Sequence, residues 1–435
     1  MGRKAATSGS GRGGERQNLA LRRLVHRVES LEIGNATSFD HGNLTVVPDA
    51  AAMLFDDPAI ARVTLQVAAP GDRVRIVKVL DSVEPRTKGP GGGGIFPGFV
   101  SAARPQGRGD THVLRGMAVV VAGYLPRAQE GLVEMRGDAA AMSPLGDLHN
   151  LVVEFEPAQD ARWEDVDAAL RLGALRLAAA VAAAALEAEP DEVEVLPSDP
   201  SRDGLPRIGA VTNLQTQGSF KDVFVYGRSF SGSLPTVIDP NELDDGAVVS
   251  GQYGHPGLKN PTYVFQNHPV VAALRARDGT DLTFAGLVIS PEPVDQTQKE
   301  LVSAHAARLC RALGFDAAII TKEGGGNADA DVTLKMDAFE DLGVVGIGIL
   351  NEMSGPHGTG PPLVVPPERA KSLISTGNYD ERLELGEVDR ALGGDRIDIV
   401  DAEATAAVAI PTAALYGSLN PLGWGRLTAG IGGTP

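Results

Sequence analysis

The chain has 435 residues, 43% hydrophobic and 22% charged, a composition typical of a soluble globular protein with two or three domains. Its 39 basic and 56 acidic residues give a formal net charge of −17, which argues against nucleic acid and anionic membranes as partners. The single cysteine, Cys310, excludes an internal disulfide and argues against a cysteine-based metal site, so we expect a reducing compartment, the cytoplasm.

Residues 1–25 differ in composition from the rest of the chain. They combine arginine and lysine with glycine and serine, without an apolar run of signal-peptide length, which predicts a disordered basic arm.

Residues 26–205 are predicted to form a β-rich N-terminal domain. Alternation of apolar and polar residues on both sides of 70–72 (Pro-Gly-Asp) predicts a β-hairpin there. Five glycines between Gly89 and Gly94 are either a flexible loop or a cradle of backbone N–H groups for an anion.

The second part of this predicted domain contains a histidine of interest and a long helix. His112 stands at the start of a predicted strand, where it is either an acid–base group or a hydrogen-bonded structural histidine. Further strands are predicted over 117–125 and 148–155. An alanine-rich helix is predicted over 163–186, and since its uninterrupted apolar part is half the length of a membrane span, we expect it to be buried in the protein. Residues 187–206, acidic and containing proline, predict a surface linker.

Beyond residue 206, strands alternate with helices. This alternation predicts a doubly wound, mostly parallel α/β domain over 206–425, followed by a tail at 426–435. The predicted fold class is therefore α/β, with the β-rich domain first. In such sheets ligands gather at the carboxyl ends of the strands, where the loops 323–331 and 351–357 are expected. The predicted strands cover 207–214, 224–226, 283–289, 316–321 and 343–350, and the predicted helices cover 294–313 and a segment that begins near 329.

These two loops carry polar and acidic side chains. Glu323, Asp329, Asp331, Glu352 and His357 are candidates for acid–base chemistry or for holding a hard cation. For the two aspartates the alternative is helix capping, because a carboxylate stabilises a helix N-terminus without any catalytic role. A metal-ligand pattern such as HExxH is absent, so we predict no metal site. The cysteine falls in register with the apolar residues of its helix, which indicates a buried thiol rather than a nucleophile.

Many glycine-, proline- and asparagine-rich stretches occur in a fixed order along the chain. They are EPR at 84–86, GPGGGGIFPGF at 89–99, GRGDTHVLRG at 107–116, TNLQTQGSFKDVFVYG at 212–227, LPTVIDPNELDDGAVVSG at 234–251, AVVSGQYGHPGLKNPTY at 247–263, KNPTYVFQNHP at 259–269, EGGGNADAD at 323–331, NEMSG at 351–355 and STGN at 375–378. In these stretches the sequence resembles the proprotein of component B of the glycine, sarcosine and betaine reductases. The resemblance leaves only about the first twenty-five residues and the last few uncovered.

The resemblance implies a self-processing step in the relatives that this chain lacks the means to perform. In that family the proprotein cuts itself at a cysteine just before the KNPTY segment, and the cysteine becomes a pyruvoyl group. Here Gly257 occupies that position, and glycine has no side-chain nucleophile for the backbone rearrangement. Ser250, seven positions earlier, is the alternative processing residue. We therefore expect an uncleaved chain without pyruvoyl or another cofactor.

The resemblance also implies a role within a complex. In the reductases, component B binds the substrate amine, and a partner subunit supplies a thiol or selenol that attacks the α-carbon. Our leading hypothesis is a substrate-organising subunit of a hetero-oligomeric reductase complex, which positions a small amino-acid-like or C–N-bonded substrate for a component-B-type thiol or selenol subunit. The predicted catalytic residues are His255, Lys259, Glu323 and Glu352, and the predicted substrate-binding residues are Tyr253, Tyr263, Phe265, His112, Asn327, Asp329, Asp331 and Asn351.

Two other functional hypotheses remain open at this point. One is a structural or regulatory subunit with no bound substrate. The other is a stand-alone hydrolase or lyase that uses His255 with Glu323 or Asp331, with or without a divalent cation.

Overall fold

The computed structural model describes residues 20–126, 128–199, 204–216, 223–251, 256–420 and 422. It is a mixed α/β protein, as the sequence predicts. The described α-helices are α1 (Pro48–Ala52), α2 (Trp163–Ala182), α3 (Pro240–Asp244), α4 (Thr262–Gln266), α5 (Pro269–Arg277), α6 (Gln296–Ala312) and α7 (Asp329–Glu340). Short 3-10 helices cover Met53–Phe55, Ala140–Met142, Ala183–Ala185, Pro256–Leu258, Gly326–Ala328, Asp398–Val400 and Thr412–Ala414.

Two four-stranded sheets form the larger part of the N-terminal half. One has the strand order β13-β1-β9-β8 and the other the order β5-β12-β10-β7. Strands β10 and β12 confirm the predictions for 117–125 and 148–155. The strands of this half are β1 (Leu21–Arg27), β2 (Ser30–Ile33), β3 (Ser38–Asp40), β4 (Asn43–Val46), β5 (Ile60–Ala68), β6 (Val74–Ile76), β7 (Val79–Val83), β8 (Arg86–Lys88), β9 (Gly109–Arg115), β10 (Met117–Ala122), β11 (Val133–Glu134), β12 (His149–Pro157) and β13 (Glu192–Leu196).

Helix α2 packs on these sheets through one apolar stripe. Its buried residues include Val166, Leu170, Leu177 and Val181, which recur at the three- and four-residue spacing of a helix face. Among the described residues, 163–185 is the one helical segment long and apolar enough to span a membrane, and 56% of its apolar stretch is buried within the protein. The burial agrees with the predicted packing helix.

The C-terminal half is built around a six-stranded sheet with the order β17-β19-β14-β20-β21-β22. Five neighbouring strands of this sheet, β19, β14, β20, β21 and β22, pair in parallel. The edge strand β17 pairs antiparallel with β19. The sheet confirms the predicted alternation of strands and helices. The strands of this half are β14 (Arg207–Gln215), β15 (Phe224–Val225), β16 (Arg228–Ser229), β17 (Thr236–Ile238), β18 (Val248–Val249), β19 (Thr283–Glu292), β20 (Ala317–Thr321), β21 (Val345–Glu352), β22 (Ser372–Asn378), β23 (Arg382–Leu385), β24 (Arg390–Leu392), β25 (Arg396–Ile397), β26 (Ala402–Glu403) and β27 (Val408–Pro411).

Helices cover both faces of this sheet. Successive residues of a strand point to opposite faces, so Leu287 packs with α5 while Val288 packs with α6 and α7. Cys310 lies on α6 in the second of these cores and is fully buried. This confirms the predicted buried thiol, and burial raises the pKa of that thiol to about 12.

The last forty described residues return to the N-terminal half. Strand β24 pairs in parallel with β6, and Tyr416 packs in the same core as Val120 of β10. The buried guanidinium of Arg75 in β6 donates to the carbonyl oxygens of Ala404 and Gly386. The two-domain division at residues 205/206 stays a prediction, and the packing of this C-terminal segment crosses it.

Three sequence-based predictions in the N-terminal half differ from the structure. A turn follows β5, but the strands on its two sides do not pair with each other, so the predicted hairpin at 70–72 is wrong. Strand β5 pairs with β12, whereas β6 pairs with β11 and β24. The predicted linker 187–206 contains β13, which pairs with β1. Strand β1 begins at Leu21, inside the segment assigned to the basic arm, because Leu21 and Val25 are buried against the sheet. Residues 1–19 lie outside the described part of the chain.

Candidate functional site

The carboxyl ends of the parallel strands bring polar side chains together, as the sheet topology predicts. Glu323 follows β20, and its Oε2 accepts the backbone N–H of Gln215 at the end of β14, with N···O 2.8 Å. The backbone N–H of Glu323 in turn donates to Oε1 of Glu292 at the end of β19, at 3.1 Å. Three neighbouring strands therefore fix the position of Glu323.

Glu323 is a buried carboxyl with a strongly altered acidity. It is 1% exposed, and this burial raises its pKa to about 8, against the opposing effect of N–H donors from Gln215 and Asn260 and of the Lys259 ammonium. The carboxyl therefore retains its proton through a large part of the neutral pH range. This property is common among groups that act as acids in catalysis.

Lys259 lies beside Glu323 and comes from the loop that follows the Pro256–Leu258 turn. Its Nζ donates to the carbonyl oxygen of Leu80 and lies 5.9 Å from the ring centroid of Tyr416. Burial lowers the pKa of this lysine, and the nearby carboxyls of Asp81 and Glu323 oppose that shift. Both residues are among the catalytic residues predicted from the sequence, and that role stays a prediction.

Asp81 holds the start of the following helix against Lys259. Its carboxylate accepts the backbone N–H and the hydroxyl of Thr262 at 3.0 and 2.7 Å. Burial raises the pKa of Asp81, whereas Lys259 and the donors from Thr262 lower it. The hydroxyl oxygen of Thr262 also accepts the N–H of Ser250, which places the alternative processing residue in a buried, hydrogen-bonded position.

Further lysines and carboxylates continue this arrangement beneath the ends of the strands. Lys322 donates to Oδ1 of Asn351 at 2.8 Å and lies 2.9 Å from Oδ1 of Asp329, while Lys299 donates to Asp331. The ion pairs of Lys299 with Asp331 and of Lys322 with Asp329 limit the cost of burying these charges. We call the following residues the lysine–carboxylate cluster: Lys259, Lys299, Lys322, Lys335, Glu292, Glu323, Asp329 and Asp331.

Burial shifts the acidities throughout the lysine–carboxylate cluster. It raises the pKa of Glu292 well above the ordinary value, with Asp331 and Glu323 adding like-charge repulsion. It raises the pKa of Asp331, which the lysines oppose, and lowers that of Lys335 to about 8. Sequence analysis missed Glu292, although its place at the carboxyl end of a parallel strand was a usable signal.

The aspartates of the 323–331 loop do not cap helix α7. The residue before the helix is Ala328, which provides no side-chain cap, and Asp329 and Asp331 lie within the first turn. Both carboxylates also pair with buried lysines, so neither is a side-chain N-cap, while their place in the first turn agrees with stabilisation of the helix N-terminus. Asn351 joins them through its bond to Lys322, whereas Asn327 is exposed at the surface.

Other predicted site residues lie outside the lysine–carboxylate cluster. Glu352 is half-buried, and its carboxylate accepts a hydrogen bond from the Ser354 hydroxyl at 3.3 Å. Its backbone carbonyl oxygen accepts a hydrogen bond from the backbone N–H of Tyr379. His357 is exposed. Tyr263 and Phe265 are buried in two hydrophobic cores, and burial raises the pKa of the Tyr263 phenol. The predicted residues Tyr253 and His255 lie outside the described residues.

His112 and the glycine run belong to the N-terminal half. His112 in β9 stacks on His26 of β1, with 3.0 Å between Nδ1 and Nε2, which favours the structural reading of this histidine. Burial lowers the pKa of both imidazoles. In the glycine run, the N–H groups of Gly89, Gly92 and Gly94 donate to protein oxygens, which argues against an anion cradle.

A cavity of ≈540 Å³ adjoins the turn that precedes Lys259. Leu80, whose carbonyl oxygen binds Lys259, and Pro256, whose carbonyl oxygen accepts the Lys259 N–H, both line it. Lys259 therefore lies directly behind the cavity wall. The other lining residues are Lys78, Gly123, Tyr124, Leu125, Ala128, Gln129, Glu130, Tyr379, Asp398, Ile399, Pro411, Ala413 and Ala414.

Gly257 is buried in the same turn. A Cβ added to it would lie 3.0 Å from the Cα and the carbonyl oxygen of Ala413 and 3.1 Å from Oγ of Ser418. These distances leave little room for a side chain. In the part of the chain that the structure describes, no group of three or more His, Cys, Asp or Glu side chains is arranged to hold a metal ion.

Comparison with known proteins gives a consistent picture. The sequence profile described as "Glycine/sarcosine/betaine reductase component B subunits" matches residues 19–429. The chain is 35% identical to the glycine reductase complex component B subunits alpha and beta of Peptoclostridium acidaminophilum over 418 residues, 92% of this chain and 97% of the relative. It is 31% identical to the betaine reductase complex component B subunit alpha of the same organism, with the same coverage. The corresponding glycine reductase protein of Acetoanaerobium sticklandii is 32% identical, again over 92% and 97% of the two chains. No solved structure matches the chain.

Proposed function

Because the chain belongs to the family of glycine/sarcosine/betaine reductase component B subunits, we propose that it organises the substrate of such a reductase complex. The substrate is a small amino-acid-like or other C–N-bonded molecule, and a separate thiol or selenol subunit cleaves it reductively. The observation that carries this proposal is the Lys259–Glu323 pair behind the wall of the cavity beside Pro256. The reducing cytoplasm that a thiol or selenol requires is the expected location.

The chemistry of the pair suits the departure of an amine. A primary or secondary amine leaves the α-carbon as a neutral molecule only from its protonated form, so for such a substrate the site has to keep the nitrogen protonated. Glu323 retains its proton near neutral pH, and Lys259 is an ammonium donor that burial makes more acidic. Neither residue lines the cavity, so we propose that the two groups act on that nitrogen through the wall residues Leu80 and Pro256, as positioning residues.

The pyruvoyl group of the family does not fit this chain. Gly257 has no nucleophilic side chain, and its surroundings leave a Cβ only 3.0 Å from Ala413. The single cysteine is buried in α6 among apolar residues. We therefore propose an uncleaved, pyruvoyl-free subunit that holds its substrate by charge and shape.

The test is turnover by a complex reconstituted from this chain and a thiol or selenol subunit. We expect Glu323→Gln and Lys259→Met each to lower kcat by about a hundredfold, the cost of misplacing a bound substrate by about 1 Å. The matched controls are Glu300→Gln and Lys371→Met, whose side chains are exposed, and we expect both to retain full activity. Full turnover by the Glu323 and Lys259 variants would favour a structural or regulatory subunit.

The same preparation, denatured and weighed by mass spectrometry with a carbonyl-reactive probe, tests the absence of pyruvoyl. We expect one unlabelled species near 45.2 kDa. Two fragments with a labelled new N-terminus would contradict the proposal and point to Ser250. Turnover by the chain alone, abolished by a chelator, would instead support a hydrolase or lyase.

A further inference from the structure

A second cavity, of ≈430 Å³, lies where strands β1, β9 and β13 meet helices α3 and α5. Three arginines line it, Arg23 of β1, Arg115 of β9 and Arg275 of α5. None of the described residues lines both this cavity and the cavity beside Pro256, so the two cavities are separate. We call the second one the arginine cavity.

The lining of the arginine cavity carries an excess of positive charge. Its two carboxylates are each shared between arginines: Glu194 pairs with Arg23 and Arg115, and Asp244 pairs with Arg23 and Arg275. Burial alone would raise the pKa of both carboxyls, but the guanidinium groups outweigh it, and the net pKa of each is lowered. Three cations therefore share two ionised carboxylates at neutral pH.

The ionisable groups next to the arginine cavity do not remove this excess. Behind its wall, Arg86 pairs with Glu84, which makes that pair neutral. Glu192 lies 3.8 Å from Arg115 but 3.0 Å from Arg27, which compensates its charge. The lining therefore favours a ligand that brings a negative charge.

Arg115 has hydrogen-bond donors that the protein leaves unused. Its Nη1 donates to Oε1 of Glu194 at 2.9 Å, whereas its Nε and Nη2 have no partner among the described residues and are not buried. The side chain is 30% exposed. Nε–H and Nη2–H lie on the same side of the planar guanidinium, where they can bind two oxygen atoms of a carboxylate or a phosphate in parallel.

The rest of the lining combines apolar side chains with access from solvent. Leu243, Phe265 and Val271 belong to a hydrophobic core, and His268 is neutral because burial lowers its pKa to about 3. Ala272 also lines the cavity and is exposed, so a small ligand can enter beside it. Apolar surroundings strengthen the attraction between a guanidinium and an anion, because they lower the local dielectric constant.

We infer that the arginine cavity is a binding site for a small oxyanion, a carboxylate or a phosphate, held through the Nε and Nη2 edge of Arg115 and the positive charge of Arg275. The inference goes beyond the proposed function, since neither Lys259 nor Glu323 lines this cavity. A ligand bound to both arginines joins β9 of the N-terminal half to α5 of the C-terminal half.

The experiment is a ligand-observed NMR titration of the full chain in Tris chloride, with inorganic phosphate and with acetate as probes. We expect the wild type to bind at least one of them, and the tighter of the two identifies the kind of oxyanion. Arg115→Gln should weaken that probe by about tenfold or more, the cost of losing a hydrogen bond between charged groups. The matched control is Arg62→Gln, which removes a guanidinium that is 66% exposed and should leave binding unchanged.

Three results of this titration would overturn the inference. They are no binding of either probe by the wild type, wild-type affinity in Arg115→Gln, and an equal loss of affinity in Arg62→Gln, which would indicate a general effect of surface charge.

A second pair of variants keeps the test decisive if Arg115→Gln fails to fold. Ala272 is exposed on α5, three residues before Arg275 and therefore on the same face of the helix. Ala272→Glu places a carboxylate beside that guanidinium, so it should weaken the bound probe by about tenfold or more. Ala272→Gln adds a side chain of the same size without the charge and should retain most of the affinity. Equal affinities of the two Ala272 variants would contradict an anion site at this place.

Discussion

Glu323 illustrates how a single residue combines structural and chemical roles in this fold. Both of its oxygens accept backbone N–H groups, from Gln215 and Asn260, and its own N–H is held by Glu292. These bonds fix the carboxyl at the junction of three strands. Burial nevertheless outweighs them and keeps the group protonated up to a pKa of about 8.

This raised pKa predicts how stability depends on pH. A carboxyl whose pKa is higher in the folded state binds its proton more tightly there, so the free energy of unfolding falls as pH rises from the ordinary 4.5 to about 8. The loss from Glu323 alone is up to about 5 kcal/mol. Glu323→Gln cannot ionise, so we expect a flatter stability curve across this window. Urea unfolding at several pH values measures it.

The control for this prediction is Glu300→Gln, which removes an exposed carboxyl and should leave the curve unchanged. Lys335 does not confuse the result. Its pKa is lowered to about 8 from 10.5, so its own contribution changes only above that window. If the free energy of unfolding of Glu323→Gln changes with pH as steeply as that of the wild type, the carboxyl of Glu323 is already ionised at pH 5.

Sequence reasoning found the acidic residues of the site more readily than the buried lysines. Glycine-rich loops after predicted strands indicated Glu323, Asp329 and Asp331, since parallel strands bring their carboxyl ends to one edge. Lys299 and Lys335 lie on helices, where lysine is normally solvated, and no spacing rule indicates that they point inward.

At the scale of elements, the parallel sheet was predictable and the N-terminal pairing was not. Strands β14, β19, β20 and β21 are apolar runs separated by helices, a local pattern that fixes both their type and their direction. The sequence on both sides of the turn after β5 predicts a hairpin because alternation of apolar and polar residues indicates strands but does not specify which strands pair. The true partner, β12, is about ninety residues away in the sequence.

Helix α3 is tied to three other elements through Asp244. This buried carboxylate accepts from Arg23 of β1 at 2.9 Å, from Arg275 of α5 at 3.0 Å and from Arg86 of β8 at 3.4 Å. Burial raises the pKa of Asp244, but the three guanidinium groups outweigh it, so the net pKa is lowered. A carboxylate shared in this way joins the N-terminal sheet to the helices of the C-terminal half.

We expect Asp244→Asn to destabilise the protein by about 3 kcal/mol, because the substitution keeps the shape and removes the buried charge that the three guanidinium groups share. Arg23 and Arg86 keep their pairs with Glu194 and Glu84, which holds the effect at the lower end of the range for a broken buried pair. The matched control is Asp110→Asn, which breaks a pair with Arg22 whose side chains are 37% and 50% exposed. An exposed pair of this kind contributes less than about 1 kcal/mol. Denaturant unfolding of the two variants gives the comparison. Equal, small effects would mean that the Asp244 network is hydrated.

At the scale of the whole molecule, the two halves share structure. Strand β24 completes a sheet with β6 and β11 of the N-terminal half, and residue 132 forms a bridge with residue 415. One hydrophobic core contains Val120 of β10 together with Tyr263 of α4, Leu392 of β24 and Tyr416. A composition change near residue 205 indicates a boundary in the sequence, but it carries no information about where the last forty residues pack.

We therefore expect the chain to unfold in a single transition. Val120→Ala in β10 and Val288→Ala in β19 remove the same fully buried methyl groups from sheets in different halves, each at a cost of about 2 kcal/mol. If the halves unfold together, both substitutions lower the midpoint of one calorimetric endotherm. If residues 26–205 and 206–425 are independent domains, the wild type shows two endotherms and each substitution moves only its own. Differential scanning calorimetry of the three proteins separates these outcomes, because a shared core transmits the loss of packing from either sheet to the entire molecule.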